Sequence, residues 1–292
     1  MTTVAAALEA ARTKLLASEA RLLLGHVLES PAAWLIAHDD HVLDEDELLA
    51  FASLVSRRAG GEPVAYLVGH REFFGRDFAV SPGVLIPRPE TELLIEITQR
   101  KVMRSGIHSD GAGGTATRNS GQATSGTTRI LDLGTGSGCI AITLALEFPQ
   151  AQVTAVDASE AALRIARRNA ETLGAQLRLL RSDWFAALDG ERFDLIVANP
   201  PYIADADPHL AAGDLRHEPS TALASGTDGL EDLRRIIGAA PAHLAPGGQL
   251  WLEHGYDQAA AVRELLAAAG LVDIEQHRDL SDIVRVSGGG LR

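Results

Sequence analysis

From Arg129 to the C-terminus, short apolar runs alternate with helical stretches, and this alternation restricts the possible folds more than any other feature of the 292-residue chain. RILDLG leads into CIAITLALEF, and QVTAVD leads into ASEAALRIARRNAETLG; LRLLRSDW, FDLIVANPPY and QLWLEHG supply later strands. Strands separated by helices must run mostly parallel, with helices covering both faces of the sheet. The last stretch, DIEQHRDLSDIVRVSGG, has no helix between its two runs and predicts an antiparallel pair.

The N-terminal part follows a different period. Leu8, Leu15, Leu16, Leu22, Leu23, Val27 and Leu28 recur at three- and four-residue steps, and a further helix is expected from about Asp44, with acids first, Arg57 and Arg58 last, and Gly60-Gly61 as its stop. Residues 1–62 are therefore expected to form a small helical domain. Residues 63–92 are expected to be a hairpin followed by an irregular linker with prolines at 82, 87 and 89, and residues 93–292 the α/β domain, entered by a helix from Pro89 and Glu90 through Ile97. Between Ser105 and Thr128, 15 of 24 residues are Gly, Ser or Thr, too polar to offset their ordering entropy, so this segment is expected to be a disordered insertion without a functional role.

Composition narrows the function classes. Hydrophobic residues make up 46% and charged residues 22% of the chain, an ordinary globular balance. Twenty-six basic against 39 acidic residues give a net charge of −13, a poor footprint for tracking a phosphate backbone. Cys139 stands alone, which excludes an intrachain disulfide and a cysteine-based zinc site. No secretory leader or membrane-length apolar run is legible, so a soluble, cytoplasmic protein is expected.

Two motifs carry chemistry. Asp132-Leu133-Gly134-Thr135-Gly136-Ser137-Gly138 ends an apolar strand and opens a helix, so bare backbone lets a ligand lie against the turn. Such a turn serves a dinucleotide, a nucleoside sulfonium or plain helix–strand packing. Asp157 ends the next strand, 23 residues after Gly134, where it suits both ribose hydroxyls or the cap of the following helix, for which Ser159 competes. Trp184, in Ser182-Asp183-Trp184-Phe185, lies where an adenine ring would pack, or is simply core.

The more specific motif is Asn199-Pro200-Pro201-Tyr202 at the carboxyl end of the FDLIVA strand. Two prolines fix the backbone, remove two donors and leave carbonyls to accept. That suits an NH₂ group. The lone pair of an amide or aryl-amine nitrogen is delocalised, and hydrogen bonds from its two N–H groups to the Asn199 side-chain oxygen and the Pro200 carbonyl would localise and aim it at an electrophilic methyl, with Tyr202 packing the planar group. No base is needed first, because the proton leaves after the nitrogen becomes cationic. The bland alternative is a rigid turn carrying a surface tyrosine.

DLGTGSG, AVD, SDWF and NPPY, with GHREFFGRDFAVSPGVLIPRPETE upstream and DPHL…GDLRHEPSTAL downstream, resemble the HemK/PrmC family of release factor glutamine methyltransferases over nearly the whole chain. The resemblance implies a Rossmann-like class I methyltransferase fold, S-adenosylmethionine as methyl donor with S-adenosylhomocysteine as product, no metal, and the glutamine of the Gly-Gly-Gln loop of class 1 release factors as acceptor. It also implies an N-terminal helical domain that helps hold the protein substrate, in an enzyme expected to be a monomer without direct nucleic-acid contact. Carried over by position, it puts donor contacts on Gly134, Thr135, Gly136, Ser137, Gly138, Asp157, Trp184 and Asn199. Asn199, Pro200 and Tyr202 become catalytic, Asn199, Pro200, Pro201 and Tyr202 form a glutamine clamp, and Phe73, Phe74 and Arg88 wall the same cleft, unless Arg88 only pairs an acid. An adenine-directed NPPY methyltransferase of nucleic acid is the alternative, as is a non-catalytic binding module. Of the weaker signals, His38-Asp39-Asp40-His41 reads as a solvated loop, Cys139 as a small buried residue and Glu253-His254 as packing or rim.

Overall fold

The computed structural model describes residues 1–104 and 127–292. All but Thr127 and Thr128 of the expected insertion 105–128 therefore lies outside the described residues. Five helices open the chain: α1 (Val4–Ala11), α2 (Ala17–Val27), α3 (Ala32–Ala37), α4 (Glu45–Ala59) and α5 (Val64–Val68). Their starts are written in the sequence. Thr3 caps α1, and Asp44 and Glu47 form a reciprocal capping box on α4, satisfying amide groups that a helix end leaves orphaned. Leu23, Leu24, Leu35 and Phe51 are buried in a core of their own. Helix α5 was not expected; the segment from residue 63 opens on this short helix, started by Pro63 and ended by Gly69 at φ +82°, before any strand begins.

The expected hairpin follows as β1 (His70–Phe73) and β2 (Arg76–Ala79). Phe74 and Gly75 form its two-residue turn with φ +51° and +73°, the left-handed geometry that matches strand twist. Phe73 and Phe78 meet edge to face at 6.1 Å, and both are fully buried against the helices that flank the main sheet. A turn at Pro89–Thr91 then leads into α6 (Glu92–Arg104).

The remaining elements are β3 (Arg129–Leu133), α7 (Cys139–Glu147), β4 (Gln152–Asp157), α8 (Glu160–Leu173), β5 (Arg178–Arg181), β6 (Phe193–Ala198), α9 (Glu231–His243), β7 (Leu244–Glu253), α10 (Ala259–Ala268), β8 (Val272–Arg278) and β9 (Val284–Gly290). They build one seven-stranded sheet in the order β5-β4-β3-β6-β7-β9-β8, parallel except for β9, which runs antiparallel to both its neighbours. The strands are apolar on both faces because both are covered. One face packs Ile140, Ile142 and Leu144 of α7, the other Leu233, Ile236 and Val262 of α9 and α10. Each such side chain contributes about 1.5–3 kcal/mol by leaving water.

The chain starts the sheet at β3, builds outward through β4 and β5, then returns to β6 on the other side of β3. That reversal is the switch point where open α/β sheets leave a crevice. Pairing of Leu133 with Ala198, Leu133 with Val156 and Ala198 with Leu252 brings Gly134, Asp157, Asn199 and Glu253 to one edge.

Because Phe73 belongs to the core, Phe73→Ala is expected to lower stability by about 3–5 kcal/mol, measured by denaturant unfolding. Well below the unfolding temperature it should leave KM for a protein substrate unchanged; a raised KM without lost stability would return Phe73 to the cleft wall.

Candidate active site

Only part of the glycine turn faces outward. Gly134, Gly136 and Asp157 line a cleft of about 560 Å³ together with Trp184, Asn199 and Pro201. A side chain on Gly134 would sit 3.2 Å from the Trp184 ring, so this glycine lets the indole lie against the turn. Gly138 serves packing instead: at φ +84°, a side chain there would come within 2.7 Å of Ile142 and press on α8. The Thr135 and Ser137 side chains are also buried, with Thr135 Oγ1 donating to Asp132 at 2.6 Å, so only their backbones remain for a ligand. Asp157 accepts from the amides of Gly136 at 2.9 Å and Ser159 at 2.8 Å, while Ser159, not Asp157, caps α8. Burial raises the Asp157 pKa, and these two amides oppose the rise.

Trp184 is half-buried at φ +49° and donates through Nε1 to Asp232 at 3.1 Å. Asp183, exposed at the rim of the same cleft, is paired with Arg235 at 2.7 Å.

The Asn-Pro-Pro-Tyr turn is anchored from below and behind. Asn199 Nδ2 donates to Thr91 Oγ1 at 3.1 Å, and Tyr202 Oη donates to Glu253 Oε1 at 3.2 Å. Gln258 Nε2 donates to the Tyr202 carbonyl at 2.9 Å. By contrast, Asn199 Oδ1 and the Pro200 carbonyl accept no hydrogen bond from the described residues. Burial lifts the Tyr202 phenol well above its usual range, and the Glu253 charge adds to the lift, so this ring stays neutral. Burial likewise pushes Glu253 up to about 7, against the Thr91 and Tyr202 hydroxyls, which favour its ionised form.

Family models match both parts of the chain, "PrmC N-terminal domain" over residues 1–69 and "Methyltransferase small domain" over residues 115–227. A release factor glutamine methyltransferase of Bordetella pertussis is 50% identical over 274 residues, covering 94% of both chains, and one of Burkholderia pseudomallei is 51% identical over 282, covering 94% of this chain and 92% of that one. The chain belongs to the release factor glutamine methyltransferase family. Among solved structures, a T. thermophilus 16S rRNA N2 G1207 methyltransferase has a TM-score of 0.51 at 22% identity, over 76% of this chain and 50% of that one. A Pyrococcus furiosus methyltransferase reaches 0.50 at 19%, over 82% and 98%. At such identities the likeness concerns the Rossmann-like methyltransferase fold alone.

For a member of this family, three expected wall residues stand elsewhere. Phe73 is core, as its apolar ring and strand position dictate. Phe74 holds the hairpin turn, packs against the same core and donates its amide to Glu92 at 2.9 Å, outside the cleft lining. Arg88 pairs with the buried Glu218, which also accepts from the Ile86 amide at 3.1 Å, so it braces the loop whose Pro219, Thr221 and Ala222 do line the cleft. Thr91 and Glu253 were missed as parts of the site. Thr91 lies inside the IPRPETE run, and Glu253 ends the strand beside the one that carries Asn199, yet single-letter spacing does not show which hydroxyl reaches which acid. His254 is packing, held between the Gly255 carbonyl and Ser287. His38 and His41 flank the Trp34 ring in an exposed loop, and among the described residues no group of three or more His, Cys, Asp or Glu is placed to hold a metal ion. Burial raises the Cys139 thiol to about 12, which keeps it protonated. Among the described residues no helix is long and apolar enough to cross a membrane.

Asp132, fully buried under the turn, is pushed up to about 7 chiefly by burial, and its Oδ1 has no partner among the described residues. A folded-state pKa above the unfolded value of 3.8 means stability that is present at low pH and lost as pH rises through about 7. A tenfold change in proton affinity is about 1.4 kcal/mol, so several kcal/mol depend on this proton. The gap in unfolding temperature between wild type and Asp132→Asn should move against the wild type from pH 5 to pH 8 in thermal melts. A gap that is constant with pH would show that Asp132 titrates normally.

Proposed function

We propose that the chain transfers a methyl group from S-adenosylmethionine to the side-chain amide nitrogen (N5) of the glutamine in the Gly-Gly-Gln loop of class 1 peptide chain release factors. The observation that carries this reading is the pair of unsatisfied acceptors, Asn199 Oδ1 and the Pro200 carbonyl, on a proline-stiffened turn of which Asn199 and Pro201 line the cleft while Pro200 and Tyr202 stand behind that lining. A primary carboxamide offers two N–H donors and matches the pair. Relatives named for glutamine methylation of release factors support the choice of acceptor.

The residues present fit the donor. The cleft has the size of a cofactor site, a side chain on Gly136 would meet nothing within 4 Å, and each Asp157 oxygen keeps a free lone pair beyond its one amide bond. Gly134, Gly136, Asp157 and Trp184 would hold the adenosine part, and Asn199 would stand between donor and acceptor. Bound there, S-adenosylmethionine supplies an electrophilic methyl group on a sulfonium.

The chain's own residues do the rest. Asn199 and Pro200 draw the two N–H groups of the glutamine amide, which raises electron density on its nitrogen and fixes its direction. Tyr202, neutral and tied at its hydroxyl, offers a flat apolar wall. No side chain has to remove a proton beforehand, because the proton leaves after the nitrogen becomes cationic. Residues 1–62 would contact the body of the release factor, residues 93–292 carry the chemistry, and 63–92 join them. We read the working enzyme as a monomer of the cytoplasm that uses no metal.

Radiolabelled methyl should move from S-adenosylmethionine to purified release factor and not to DNA or RNA; label on nucleic acid alone would reverse the assignment. Asn199→Ala is expected to lower kcat about 100-fold, in the range for losing one oriented hydrogen-bonding group, while the donor Kd by calorimetry changes less than about threefold. Unchanged turnover would remove the turn from the chemistry.

A further inference from the structure

Two of the four clamp residues lead to one buried carboxylate. Glu253 is 1% exposed and ends β7, the strand hydrogen-bonded to the one that delivers Asn199. Its Oε1 takes the Tyr202 hydroxyl at 3.2 Å, and its Oε2 has no formed hydrogen bond. Thr91, 2% exposed, accepts from Asn199 Nδ2 at 3.1 Å, and its single hydroxyl proton donates to no other described residue. Thr91 and Glu253 form no hydrogen bond of standard geometry, but both are buried, Glu253 Oε2 is left over as an acceptor, and the Thr91 hydroxyl favours the ionised form of Glu253, so the carboxylate is the acceptor within reach of this proton.

The polarity of this chain matters. A carboxylate can only accept, and a hydroxyl has one proton to give. With the Thr91 proton turned to Glu253, Thr91 can only accept from Asn199, so the Asn199 amide must present its NH₂ to Thr91 and its oxygen to the cleft. If Thr91 donated to Asn199 instead, the amide would turn over and offer the substrate a donor, which repels the N–H groups of a glutamine side chain.

We propose that Glu253, which touches neither donor nor acceptor, is a positioning residue: through Thr91 it sets the orientation of the Asn199 amide, and through the Tyr202 hydroxyl it fixes the Tyr202 ring. The proposal rests on the clamp reading above. The groups that face Glu253 are Thr91 and Glu90 from the turn before α6, Tyr202 from the clamp, Arg285 from β9 and Cys139 from α7. Glu90 disfavours its charge and Arg285 favours it, while Cys139 stays a neutral thiol. The ionised form makes the chain one-way, so kcat should rise with pH across about 7 in the wild type.

The test compares kcat, KM for release factor and the calorimetric Kd for S-adenosylmethionine in wild type, Glu253→Gln, Glu253→Ala, Thr91→Val and Thr91→Ser. Expected are kcat losses of about 10- to 100-fold for Glu253→Ala and Thr91→Val, with KM and Kd within about threefold. Thr91→Ser should recover most of the rate, and the pH rise across about 7 should vanish in Glu253→Gln. Thr91→Val keeps the side-chain volume and carries the test should Glu253→Ala fail to fold. The proposal is overturned by Thr91→Val turning over like wild type, by Thr91→Ser behaving like Thr91→Val, by donor affinity falling in step with kcat, or by Glu253→Gln keeping the pH rise. Wild-type transfer that is lost in Asn199→Ala but kept in Thr91→Val would sink this proposal and leave the clamp standing.

Discussion

The parallel pairing of β3 with β6 is the constraint on which everything else in the molecule depends. Leu133 lies opposite Ala198, so the glycine turn and the Asn-Pro-Pro-Tyr turn leave neighbouring strands at the same height. A shift by one residue would exchange the two faces of β6 and send Leu195 and Val197 to the wrong core. Burial of those side chains therefore fixes the register, and the register fixes how far Asn199 stands from Gly134. The same logic carries one strand further, where Ala198 opposite Leu252 seats Glu253 beneath the turn.

Stability and chemistry conflict at this edge. Asp132 and Glu253 are both fully buried carboxyl groups whose pKa values are pushed up to about 7, and in each one oxygen has no formed hydrogen bond among the described residues. A core assembled for stability alone would place apolar groups in such positions. Here the first supports the glycine turn through Thr135, and the second receives the Tyr202 hydroxyl. The surrounding sheet, apolar on both faces, offsets the cost. Stiffness is supplied separately: Pro200 and Pro201 limit the backbone of the turn, and Gln258 holds the Tyr202 carbonyl, while the Pro200 carbonyl accepts from none of the described residues.

Period and punctuation made most of the fold legible. Unbroken apolar runs such as LIVA, followed by amphipathic helices, could only be a covered parallel sheet, and the final pair without a helix between its runs could only fold back. Helix α5 escaped because five residues are too few to show a period. In the site, backbone-driven features were readable: glycines where a strand turns into a helix, prolines where a strand must stop. Features that depend on side chains meeting from distant positions were not. Phe73 and Phe74 look alike in sequence, yet alternation along a two-residue hairpin sends one to the core and the other into the turn. Arg88 and Glu218 are 130 residues apart, and nothing in either neighbourhood announces the pair.

That pair belongs to a larger arrangement that links the helical layer to the cleft. The chain after Tyr202 crosses back over the sheet edge, and its Pro219, Thr221 and Ala222 form one wall of the cleft. Arg88, from the segment joining the two parts, holds Glu218 from one side. From the other, Arg58 of α4 bridges Glu19 and Asp214 at 2.9 and 2.8 Å, and Arg216 donates to the Gly60 carbonyl at 2.7 Å. Glu218 is buried and Arg58 largely so, which shields both from the screening that makes surface pairs weak. One cleft wall is thus fastened at both ends to elements outside the sheet. The helical layer touches that wall through Asp214 and Arg216, while the joining segment reaches the wall through Arg88 and Asn199 through Thr91.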